Sequence, residues 1–222
     1  MSRRLLALVP LAAAVALAAG APPGRAAAPV GATQTAALLR GIPQHGVDLG
    51  SPKAPVTLVE FGDLQCPFCA QWERNAFPEI VRKYVRPGKV RIIFVGMTFL
   101  GPDSVKAFRA ALAAGEQNRF WNVAELMYLN QGKENSGWVT DSFLRSIGRT
   151  VKTLSVPKML AARSSAGVKA QLAAAANLAS TAGVNQTPSF AVGRTGAAPQ
   201  LIQISSLDAA GIEPALDALL NG

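Results

Sequence analysis

Cysteine and histidine are nearly absent: of 222 residues two are cysteine, Cys66 and Cys69, and one is histidine, His45. A structural zinc site needs four thiolate, imidazole or carboxylate ligands, and this small set, with His45 in a Gly/Pro-rich stretch, does not supply one. Covalent haem attachment needs a histidine directly after the second cysteine, and position 70 is Ala. Charge is also scarce, at 16% of residues against 50% hydrophobic, so core material is ample and wholesale disorder is excluded. The N-terminal apolar run, Leu5 to Ala19, is 15 residues long and falls short of the roughly 20 that span a bilayer as a helix. No internal repeat is present.

Arg3 and Arg4 precede that run, and small residues with Pro22, Pro23 and an Ala cluster follow it, which is the order of a secretory signal. Residues 1–28 are therefore expected to be a signal peptide and the protein to be exported to the periplasm or another extracytoplasmic space, membrane-tethered if the signal stays uncleaved. With no cysteine directly after the run, a lipid anchor on a processed N-terminal cysteine is excluded. Removing Arg3, Arg4 and Arg25 lowers the net charge from +9 to about +6. The densest basic group (Arg82, Lys83, Arg86, Lys89, Arg91) lacks interleaved aromatics, so it reads as a solvated face and nucleic acid is not an expected partner.

Residues 29–50 are rich in Ala, Gly and Pro and read as a lead-in segment with a helical piece near Gln34 to Leu39. Val56 to Phe61 (VTLVEF) is β-branched and apolar between Pro55 and Gly62-Asp63, which predicts a buried strand. From Pro67, apolar residues at Phe68, Trp72, Ala76 and Ile80 make one helical stripe, with a kink or restart expected at Pro78. A second strand is predicted over Val90 to Phe99, parallel to the first by the crossover rule. Five helices are predicted between residues 103 and 183, then a hairpin of Thr187–Gly193 with Pro199–Ser206, then a helix over Leu207–Leu220.

Cys66 and Cys69 thus fall at a strand-to-helix junction. A disulfide between positions three apart closes almost no loop and adds little as a staple, so reactivity is the stronger reading. A cysteine at a helix N-terminus meets unpaired N–H groups and the positive end of the helix dipole, which favours its thiolate. Cys66 is at that point and is expected to be the nucleophile; Cys69, one turn further in, is expected to be more buried, with a higher pKa, as the resolving thiol. Pro67 stands where proline presets φ without removing a needed donor, and Phe68 brings no charge to the thiolate. Glu60 lies in the apolar strand, where a charge is expensive without a partner or a task; strand alternation puts it with Val56 and Leu58 on a face that could also be partly solvated.

The segment EFGDLQCPFC, the stretch AFRAALAAGEQNRFW (Ala107 to Trp121) and GVNQTPSFAVG (Gly183 to Gly193), in this order, resemble the DsbA-like branch of the thioredoxin superfamily. The resemblance implies an α/β thioredoxin fold over residues 51–222 with an inserted helical domain at about 103–183. It implies a cis bond between Thr187 and Pro188 facing the cysteines, with Thr187, Pro188 and Phe68 contacting an extended substrate chain and, with Pro67 and Glu60, tuning the redox centre. Glu60 would relay protons during exchange. The expected activity is thiol–disulfide exchange in folding proteins through a mixed disulfide at Cys66, with no metal or organic cofactor. Unfolded or reduced exported proteins would be the substrates and a membrane quinone-linked protein the reoxidant. Relatives often place histidine where Phe68 stands, and many carry further cysteines in the helical block, so redox strength stays open here and no second disulfide is expected. A reductase or isomerase kept reduced by a membrane donor, and a chaperone with an inert disulfide, remain alternatives; no dimerisation domain is evident and a monomer is expected.

Overall fold

The computed structural model describes residues 28–222, so the expected signal peptide lies almost wholly outside the described residues. The described residues begin with α1 (Ala32–Leu39) and two short strands, β1 (Gln44–His45) and β2 (Asp48–Leu49). Next come β3 (Val56–Gly62), α2 (Pro67–Asn75), α3 (Phe77–Ile80) running into a wide π turn at Val81–Val85, and β4 (Val90–Gly96). The helical block follows as α4 (Pro102–Gly115), α5 (Phe120–Leu129), α6 (Asp141–Thr150), α7 (Val156–Ala162) and α8 (Ala166–Thr181). The chain closes with β5 (Ser189–Arg194), β6 (Gln200–Ile202) and α9 (Glu213–Asn221).

The strands form one sheet in the order β1-β2-β4-β3-β5-β6, with β3 parallel to β4 and antiparallel to β5. This is the α/β thioredoxin arrangement, and the helices between β4 and β5 are its insertion. The lead-in reading of residues 29–50 needs correction, because β1 and β2 extend the sheet beyond β4. Two-residue strands around a tight turn leave no alternating pattern to read. The second strand is also shorter than expected: Met97 to Phe99 leave the ladder, with the Met97 N–H bonded to the Gly62 carbonyl at 2.8 Å. Likewise the last helix starts at Glu213 rather than Leu207, after a single 3₁₀ turn at Ala209–Gly211.

Burial runs through both faces of the sheet. Val56 and Leu58 of β3 join a large core that includes Trp72 and Phe77, while Val59 and Phe61 face the other way and pack under Ala179 of α8. The inserted block therefore supplies part of the core. Phe77 stacks on Trp121 with ring centroids 5.2 Å apart, and Phe94 of β4 meets Phe120 at 5.2 Å. Close approach fixes Gly96 at the end of β4, where an added Cβ would fall 2.2 Å from the Phe108 ring. The basic group seen in the sequence is largely engaged within the chain: Lys83 pairs with Glu213 at 3.0 Å, Arg86 bonds the carbonyls of Leu38 and Arg40, and Arg91 bonds Thr57.

Candidate active site

Central strand β3 ends at Gly62 and the chain turns through Asp63 and Leu64 into α2, placing Cys66 as the N-cap residue with extended φ and ψ. Asp63 shapes the turn: its buried carboxylate accepts from the Gln65 N–H at 2.9 Å, and the Cys66 N–H bonds the Asp63 carbonyl. Pro67 occupies the first helical position. Phe68, 60% exposed, points outward, whereas Leu64 and Trp72 are buried in the core.

Opposite this turn, the cis Thr187–Pro188 peptide leads into β5 and brings the Thr187 carbonyl to 3.4 Å from Cys66 Sγ, with the thiol as donor. Cys66 Sγ accepts from the Cys69 N–H at 3.5 Å. Both cysteines are free thiols, and Cys69 is fully buried. A hydrogen bond from the Cys69 thiol holds the Cys66 pKa down at about 6; burial opposes it, and the Thr187 side chain and the N–H groups of Cys69 and Phe68 add to it. Burial and the neighbouring Cys66 push the Cys69 thiol well above its ordinary range. One thiol is thus poised to attack or leave as thiolate, and the other to hold its proton. Beside them a cleft is lined by Phe68, Gln186, Thr187, Pro188, Ile202 and Ile204.

Beneath Cys69 lie three buried carboxyls. Glu60 of β3 is fully buried rather than on a partly solvated face, and it meets Glu73 of α2 and Glu125 of α5. As carboxylates, Glu60 and Glu73 would have no donor for any of their oxygens. With protons among them, Glu73 bonds to Glu60 on one side and Glu125 on the other. Burial raises the pKa of Glu60 to about 8, softened by the Glu73 bond, and that of Glu125 to about 7. Glu73 and Glu125 escaped the sequence reading because a single glutamate on a helix ordinarily marks a solvated face. The one available signal was Glu73 falling one helical turn after Cys69, next to Trp72.

This cluster predicts a pH effect whose sign follows from the raised pKa. Between about 4.5 and about 8 the folded state keeps a proton on Glu60 that the unfolded chain releases, so stability falls as pH rises through that window. Melting temperatures of the disulfide form, in which neither cysteine titrates, should decline from about pH 5 to pH 8, and Glu60→Gln should flatten the decline. An equal slope in both proteins would place the proton elsewhere.

Among the described residues no helix is long and apolar enough to cross a membrane, and no group of three His, Cys, Asp or Glu is arranged to hold a metal ion.

Comparison with known proteins fits this geometry. The family described as Thioredoxin matches residues 44–204. A stretch of 101 residues is 38% identical to the probable disulfide bond formation protein D of Bacillus cereus, covering 45% of this chain and 47% of that one, so the chain spans about half the length of the curated relatives it matches. Over 161 residues, 71% of this chain, it is 35% identical to 23% of a Salinispora tropica protein named Na(+)/H(+) antiporter NhaA 3. The crystal structure of oxidised BdbD from Bacillus subtilis superposes with a TM-score of 0.70 at 24% identity, over 82% of this chain and 98% of that one, a likeness of fold. Because the family match runs from the first edge strand to the far hairpin, the chain belongs to the thioredoxin family.

Proposed function

We propose that this protein is a thiol–disulfide oxidoreductase that passes the Cys66–Cys69 disulfide to reduced proteins outside the cytoplasm. The observation that carries the reading is Cys66 Sγ at the N-cap of α2, facing the Thr187 carbonyl and bonded by the Cys69 N–H. In the reaction a substrate thiolate attacks Cys66 Sγ, the Cys66–Cys69 bond breaks and Cys69 takes a proton, for which Glu60 is the buried acid beside it. A second substrate thiolate then attacks the substrate sulfur of the mixed disulfide and releases Cys66 as thiolate. The substrate gains a disulfide and the enzyme is left reduced.

A stable leaving thiolate favours the oxidising direction, since whatever stabilises the reduced form raises the reduction potential. Phe68, Thr187 and Pro188 border the cleft in which an extended substrate chain would lie, and the exposed Phe68 offers it an apolar contact. Pro67 presets the turn and Phe68 leaves the thiolate without a charged neighbour within the motif. Reoxidation falls to a membrane quinone-linked protein, no bound cofactor takes part, and export is supported by the sequence order of residues 1–28.

Reduced, unfolded ribonuclease A with glutathione disulfide as oxidant tests the proposal. A catalytic amount of the protein should speed the appearance of disulfides. Binding without acceleration would favour the chaperone reading, and net reduction of native disulfides in a glutathione buffer would favour the reductase.

A further inference from the structure

The loop Gln131–Trp138, between α5 and α6 of the inserted block, is bonded to the segment that carries the nucleophile. Gln131 Nε2 donates to the Leu64 carbonyl at 3.0 Å and to the Cys66 carbonyl at 3.2 Å. Gln65, buried between those two residues, accepts on its side-chain oxygen from the Asn135 N–H at 2.8 Å and from Trp138 Nε1 at 3.3 Å. Its amide nitrogen donates to Ser104 Oγ at 2.9 Å and Asn135 Oδ1 at 3.1 Å. The residues from Leu64 to Cys66 are therefore held by the inserted block as well as by their own strand and helix.

We propose that Gln131 is a positioning residue for Cys66: by holding the carbonyls on either side of Gln65 it fixes the first turn of α2 so that two N–H groups converge on Cys66 Sγ. Two is all this turn has to offer. Pro67 has no N–H, so the donors to the sulfur are Phe68 and Cys69, and both must point correctly. The Cys66 carbonyl already accepts the Ala70 N–H at 3.0 Å; a second donor from outside the helix sets its direction, and with it the tilt of the Cys66–Pro67 peptide plane. The bonds of Gln131 to this segment run to backbone oxygens, and its influence on Sγ travels through the backbone. This rests on Cys66 being the attacking thiol, as proposed above. It adds that the helical block, beyond covering the sheet, sets the reactivity of that thiol.

The test is the pH profile of iodoacetamide alkylation of the reduced protein, comparing wild type with Gln131→Met, which keeps the volume and removes the donor. Wild type should react with a midpoint near 6. The variant's midpoint should move up, with its thiolate fraction at about pH 6 reduced roughly threefold, as expected when losing one hydrogen bond changes the ionisation constant about fivefold. Melting temperatures of both redox forms accompany the profile. An unchanged midpoint with lower stability in both forms would make Gln131 merely structural and overturn the proposal. A wild-type midpoint near 9 would instead remove the underlying reading of Cys66. Gln131→Ala serves as second variant if the methionine does not fold, and the same two outcomes decide it.

Discussion

Replacing Cys66 with serine should abolish catalysed disulfide formation, leaving only the rate of glutathione disulfide itself. The remaining thiol cannot stand in. A thiol with a pKa of about 6 is about nine-tenths ionised at pH 7, whereas one raised above 9.0 is ionised to less than about 1%. The attacking form is the thiolate, so Cys69 starts roughly a hundredfold behind before its complete burial is counted. Cys69→Ser should behave differently: it keeps the attacking thiol, loses the resolving one and accumulates a mixed disulfide with an oxidised test protein, visible on a non-reducing gel. Catalysis surviving in Cys66→Ser would contradict the assignment of roles.

The largest expected effect on stability belongs to Trp72→Ala. Trp72 is fully buried on α2, with its ring centroid 4.8 Å from Phe190 and 6.0 Å from Phe77, so it joins α2 to β5 and α3. Truncating a buried tryptophan costs about 3–5 kcal/mol, a large share of a stability of roughly 5–15 kcal/mol. The melting temperature should fall by about 6 to 20 °C for a chain of this size. Trp72→Phe should be far milder, because Trp72 Nε1 has no hydrogen-bond partner and its removal leaves no donor stranded. A phenylalanine variant as unstable as the alanine one would mean that the indole N–H carries the contact.

How much of this was legible in the sequence depends on whether the information was local. The β-branched run at Val56–Phe61 and Pro67 each act within one element, and strand, junction and helix start lie where the pattern put them; of the stripe after Pro67, Trp72, Ala76 and Ile80 are buried across α2 and α3, while Phe68 is exposed. A threonine before a helix is a local signal of the same kind, and Thr140 caps α6, its hydroxyl accepting the Phe143 N–H at 3.1 Å. The helices between residues 103 and 183 showed in local patterns, whereas their place as an insertion and the cis bond before β5 were implied by the family resemblance. Strands β1 and β2 were missed because each pairs over two residues only, too short for alternation to show.

Misses at the site have a different cause. The partly solvated alternative for the Glu60 face assumed an open side, but α2 and α5 bring Glu73 and Glu125 there, and nothing in a single strand tells which helices will cover it. Gln131 stood in a loop of polar and Gly residues, where a glutamine carries no signal until the fold sets it against the carbonyls of Leu64 and Cys66. Local patterns located the cysteines, while the groups that tune them come from distant parts of the chain.

The α2 N-terminus, the Cys69 thiol and the Thr187 strand entry together favour the thiolate of Cys66 at neutral pH. The most direct test is the ultraviolet thiolate absorbance of the reduced protein as a function of pH. An ionisation step with a midpoint of about 6 is expected, absent from Cys66→Ser and from the disulfide form. A first ionisation at or above 9.0, the ordinary value for an unperturbed cysteine, would contradict it.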